Sequence, residues 1–218
     1  MSFDTGEKHV LHATRGEVLL GDVRALARQA GGLPLSALDS SGGGAGTPMA
    51  MIHWREWVGR YVREVVVGEE WPVVLEAWSH ASAGRVKELL MLDQSWGLRV
   101  GMRPLAEASF RVGQRQLNRL RPLSDVRVVQ RYVAAVEAGK AHGWHPVVYG
   151  VMLAVFALPL RQGLMHYADQ VLGGFVEGVP SGIRLREGEQ AQVVEELGAS
   201  LPEALGRLLP AVVPMAVV

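Results

Sequence analysis

The sequence contains no cysteine. That excludes disulfides, thiolate metal ligands and cysteine nucleophiles, and it fits a reducing compartment. Neither sign of charge is in excess: Lys plus Arg is 22 and Asp plus Glu is 22. No global field therefore draws the chain to nucleic acid or an anionic membrane. A neutral chain also has little charge repulsion to keep it apart from others, which suits a component of a complex. The N-terminus, MSFDTGEKHVLHATRGE, lacks the basic-then-apolar order of a signal segment. The longest apolar run, Pro146 to Leu160, falls short of the roughly 20 residues of a membrane span and predicts a buried core helix. There is no GxxxxGK[ST], no GxGxxG behind a strand and no HExxH. Gly42-Gly43-Gly44 follows no strand and precedes no lysine, so it reads as a flexible loop rather than a phosphate cradle. No strand alternation and no internal repeat stand out.

What is present is helical period. Of the 218 residues, 49% are hydrophobic and 20% charged, enough for one large core. The pattern predicts a flexible segment over 1–17, an all-helical domain over 18–209 and an apolar tail over 210–218. Leu19, Val23, Leu26 and Ala30 share one face, and Gly31-Gly32 ends that helix. A loop over 31–48, rich in glycine, serine and proline, precedes a helix from Met49 to Val67, where VVV at 65–67 fits a strand equally well. Trp71-Pro72 opens a further helix, which Gly84 splits. Helices then follow from Arg103-Pro104 to Leu120, from a Ser124 cap to about Gly139, over 145–158, from Leu160 to Val179, and from Glu189 to Leu209. The predicted fold class is all-α, a single-domain helical bundle of about eight or nine helices.

Few residues point to chemistry. His142 and His145 straddle Gly143-Trp144 and offer two ligands to a divalent ion, or a helix start in which His145 caps or packs. His9 and His12 sit near a loose terminus, and His53, His80 and His166 stand alone. Ser40-Ser41 with a distant His and Asp makes no triad. Trp54 and Trp57 lie on one helical face, which is either core or a protein–protein anchor.

Residues 143–197 resemble the C-terminal half of the UreF family of urease accessory proteins. His145, Pro146, Val147, Val148, Tyr149 and Gly150 match a block that opens a very apolar helix. Leu158, Pro159 and Leu160 match a Leu-Pro-Leu, and Tyr167, Arg184, Leu185, Gln190 and Gln192 match the remainder. In 103–120, Ala108, Ser109, Gly113 and Leu117 match a second helix, whose small residues make a smooth face for close helix approach. Of the family's N-terminal hallmark, Leu33, Pro34, Ser41 and Gly43 are kept, while Ser36, Leu38, Ser40, Gly44 and Ala45 replace its other members. The resemblance spans about residues 25–197.

The resemblance implies an all-helical cytoplasmic homodimer that binds UreH (also called UreD). Through that complex it implies binding to the GTPase UreG on apo-urease, where it modulates GTP hydrolysis and gates nickel insertion. It implies no cofactor, no catalytic residue and no metal ligand of its own, and no nucleic-acid or membrane partner. By family position, the C-terminal helix and tail, including Val213 and Pro214, dock UreH. Ser41, Gly43, Ser109, Gly113, His145, Arg161, Tyr167, Arg184 and Gln190 are the other expected partner contacts. Arg161 and Tyr167 lie six residues apart, which points them to different sides of one helix. Two other readings stay open. One is a degenerate paralogue serving another assembly. The other is a small helical protein that binds a ligand or metal near His142 and His145.

Overall fold

The structure is a computed structural model, and it describes residues 48–100, 106–123, 125–179, 183 and 185–209. The expected N-terminal segment, the first helix, nearly all of the loop over 31–48 and the apolar tail lie outside the described residues. Every described element is helical, and VVV at 65–67 is helical too. α1 (Pro48–Tyr61) runs without a break into a π-helical segment (Val62–Glu70) and on into α2 (Trp71–Ser82). Val62, Val66 and Glu70, four apart, face the core along the segment. Its wide turns lie just upstream of Pro72, which has no N–H to offer the carbonyl of Gly68 and whose ring presses on it. The N–H of Trp71 accordingly reaches back five residues to the carbonyl of Val66.

α3 (Val86–Val100), α4 (Ala106–Leu120) and α5 (Arg127–Glu137) follow, then α6 (His145–Val155), α7 (Leu160–Glu177), α8 (Glu187–Gly198) and α9 (Leu201–Leu208). α6 is the centre of the bundle. Every residue from His145 to Leu153 is buried, with α2 on one side and α4 on the other. Helix α7 closes over the π segment and carries α8 and α9 on its outer side. Gly150 lets α6 approach α2 closely: a Cβ there would lie 2.4 Å from the carbonyl oxygen of Val74. Among the described residues, no helix is long and apolar enough to cross a membrane.

Three expected boundaries shift. The helix expected over Glu189–Leu209 is two helices, α8 and α9, because Pro202 in the first turn of α9 cannot continue the ladder from α8. α5 starts at Arg127 behind an extended Val126, and Ser124 lies outside the described residues. α6 stops at Val155 rather than 158. Its end is a Schellman turn, in which Leu158 N–H reaches the Leu153 carbonyl and Ala157 N–H reaches that of Ala154. α2 and α5 end on the same pair of bonds with glycine at the left-handed position, Gly84 at φ +66° and Gly139 at φ +69°. In α6 that position is Ala157, at φ +49°. An L-residue costs about 1–2 kcal/mol there. Ala157→Gly is therefore expected to raise stability by about 1 kcal/mol, or about 2–4 °C in Tm, in a thermal melt.

Candidate functional site

Two buried polar knots converge on the N-terminal end of α6, within the block that resembles UreF. The first is built on Asp93, in the buried stripe of α3 between Leu89 and Trp96 and fully shielded from solvent. Its carboxylate accepts the backbone N–H groups of His142, Gly143 and Trp144 at 2.5, 3.0 and 3.3 Å. The Tyr132 hydroxyl of α5 donates to it at 2.7 Å. Burial and the adjacent carboxylate push the Tyr132 pKa well up, so it stays a donor. A buried carboxylate is stable only with such a set of donors. Here they clamp the loop that aims α6.

The second knot joins the π segment, α6 and α7. The Tyr167 hydroxyl donates to Glu70 at 3.0 Å and lies 3.2 Å from His145 Nδ1. The hydroxyl has one proton and Glu70 takes it, so the hydrogen bond to His145 needs the proton on Nδ1. Nε2 is then a bare acceptor, buried without a hydrogen-bond partner. The His145 ring stacks on Tyr167 with centroids 4.9 Å apart, and Tyr149 meets both rings edge-on. The Tyr149 hydroxyl donates to the Gly163 carbonyl at 2.9 Å. Burial raises the pKa of Tyr149 and Tyr167, the latter also through Glu70.

Burial lowers His145 from 6.5 to about 3. The folded value lies below the unfolded one, so between pH 6.5 and 3 the unfolded chain binds the extra proton. Stability should fall as pH drops through that window, by up to about 1.4 kcal/mol per pH unit from this residue. His145→Asn keeps an N–H near Tyr167 but cannot titrate. Urea midpoints from pH 7 to 4 should show the variant losing that part of the slope. Parallel slopes would mean that His145 is not held neutral.

The expected site residues fall into three groups. Ser109, Gly113, His145 and Tyr167, expected as partner contacts, are buried inside this chain. A Cβ on Gly113 would lie 2.0 Å from the Gly143 carbonyl oxygen, so the smooth face of α4 receives the chain's own loop. The Ser109 hydroxyl has no hydrogen-bond partner among the described residues; what the position uses is small size. Arg161 and Gln190 are exposed. Ser41, Gly43, Arg184, Val213 and Pro214 lie outside the described residues. His142 and His145 do not share a site: the exposed His142 ring has Nδ1 3.5 Å from Asp93, while His145 is sealed under Tyr167. Among the described residues, no group of three side chains is placed to hold a metal ion. Trp54 is buried, and the half-buried Trp57 packs edge-on against Phe175.

Glu70, Asp93 and Tyr132 were not legible as site residues. The available signal was a lone acid inside an apolar stripe, as Asp93 is among Leu89, Leu92 and Trp96.

Fold and knots together define a helical bundle whose shifted histidine and tyrosines join helix to helix inside the core. Compared with known families, residues 53–185 match the model of UreF. That is well over half of the chain, and the chain belongs to the UreF family, whose members are urease accessory proteins. The match begins after the altered N-terminal hallmark and includes both knots. No curated protein matches the chain.

Proposed function

We propose that the chain acts in urease maturation by protein–protein contact. It bridges UreH (UreD) and the GTPase UreG on apo-urease, works as a homodimer in the cytoplasm, and modulates GTP hydrolysis during nickel insertion. The observation that carries this is family membership over residues 53–185. The buried knots support it: Tyr132, His145, Tyr149 and Tyr167 sit in the core, where they hold helices in place rather than meet a substrate. A modulator of a GTPase needs a positioned surface, not a reaction centre. Exposed Arg161 and Gln190 are the described candidates for that surface, with Ser41, Gly43, Arg184, Val213 and Pro214 in the remaining segments.

Co-expression with the cognate UreH, followed by size-exclusion chromatography with light scattering, tests the reading. A complex of two chains of each kind that recruits UreG with GTP and magnesium is the expected result. Elution of this chain alone, with no co-migration, overturns the bridging role and favours a paralogue that serves another assembly.

A further inference from the structure

A groove of about 490 Å³ runs between α3 and the helix formed by the π segment and α2. Its floor is apolar, with Val73 and Leu92, and Met91 stands at its wall 59% exposed. Its rim is acidic: Glu69, Glu76 and Glu88 face one guanidinium, Arg99, so three negative charges less one positive leave two uncompensated. Arg99 lies 3.3 Å from Glu69 and is taken up there. His80, 3.4 Å from Glu76, compensates it only when protonated. Glu88 makes no ion pair among the described residues, and its neighbour Lys87 does not line the groove. This negative patch stands on a chain with no formal net charge. Seven residues beyond Met91, on the same face of α3, Leu98 is 86% exposed, a second apolar side chain two turns past the groove.

We propose that this groove docks a basic amphipathic helix of a partner protein. The helix lays its apolar face on Val73, Leu92 and Met91 and sets its lysines or arginines against Glu76 and Glu88. Apolar anchors at helical spacing give such a contact its energy, and the flexible thioether of Met91 adapts to their shape. The acidic rim selects the sign of the flanking charges and steers the approach. Val73 on α2 and Leu92 on α3 are held by the core, so the groove is formed before the helix arrives.

The test uses the full chain and three labelled synthetic peptides of about four helical turns. One is a Lys/Leu amphipathic helix, one its Glu/Leu counterpart, and one a Lys/Ser peptide of equal charge with no apolar face. Fluorescence anisotropy should show the Lys/Leu peptide bound about tenfold tighter than either other, with affinity falling as salt rises. Glu76→Lys with Glu88→Lys should weaken it about tenfold, as should Met91→Asp. These side chains are exposed, so melting temperatures should hold. If charge reversal lowers the melting temperature, Glu76→Gln with Glu88→Gln reads the same loss without adding charge. Equal binding of the three peptides overturns the proposal, as does unchanged binding by the variants. A change of molecular mass by light scattering in Met91→Asp also overturns it, because the occupant is then a second copy of this chain. The chain alone is measured, so failure here is distinct from failure of the urease assembly.

Discussion

Gly113→Ala is expected to destabilise the isolated chain by at least about 3 kcal/mol, a fall of roughly 6–12 °C in Tm for a chain of this size. The added Cβ would lie 2.0 Å from the carbonyl oxygen of Gly143, 2.8 Å from the backbone nitrogen of His145 and 2.9 Å from the carbonyl carbon of Trp144. All three are main-chain atoms, so no side chain can rotate away. The loop cannot retreat either, because Asp93 holds three of its N–H groups from the other side. Helix α4 must therefore tilt off α6 and open the core around Val112 and Leu117. Gly206→Ala is the control, a glycine in the last turn of α9 whose added Cβ meets nothing within 4 Å. It should gain up to about 1 kcal/mol from helix propensity. The pair also separates two uses of the small face of α4. If Gly113 served a partner helix, the alanine variant would melt normally and lose only the complex. Circular dichroism melts of the free chain decide this, and an unchanged Gly113→Ala melt would remove α4 from the wall of α6.

Much of the bundle was legible because its helices carry a strong period. The helix expected from Leu160 to Val179 is α7, and Leu164, Tyr167, Ala168, Val171, Leu172 and Phe175, at helical spacing along it, are all buried. The apolar run after His145 predicted a core helix, and α6 is one. The Arg161–Tyr167 spacing predicted opposite orientations; Arg161 is exposed and Tyr167 is not. What escaped is set by contacts between distant parts of the chain. VVV at 65–67 has no period of its own to separate helix from strand, and Pro72 with the buried ends of Val62 and Glu70 sets it as a π turn. The break between α8 and α9 rests on Pro202, a weak signal inside an otherwise periodic segment. Family-matched positions were legible as important but not as to why. Ser109, Gly113, His145 and Tyr167 were expected as partner contacts, and their side chains or backbone are buried in this chain. A residue matched to a family motif carries no information about which side of the surface it lies on.

Asp93 is the sharpest case, and it carries the largest expected loss. Asp93→Ala should cost about 4 kcal/mol or more, because it leaves the Tyr132 hydroxyl and three backbone N–H groups facing a dry, empty space. Asp93→Asn should cost about 2 kcal/mol. Its carbonyl oxygen can take the place of Oδ2 and keep Tyr132, Gly143 and Trp144 as donors, but its amide then meets the His142 N–H donor to donor. Tyr132→Phe removes one donor and leaves the carboxylate three, so its cost should be the smallest. Urea unfolding followed by tryptophan emission reads the series, since Trp144 sits in the clamped loop. The order Ala, Asn, Tyr132→Phe means that an acceptor at this point holds the loop. Equal losses for Ala and Asn would mean that the negative charge itself does. Either way the acid acts through partners about 50 residues along the chain, which no local pattern reveals. By fixing where the loop enters α6 it also fixes where His145 stands against Tyr167, and so couples the two knots that hold the bundle's central helix in register.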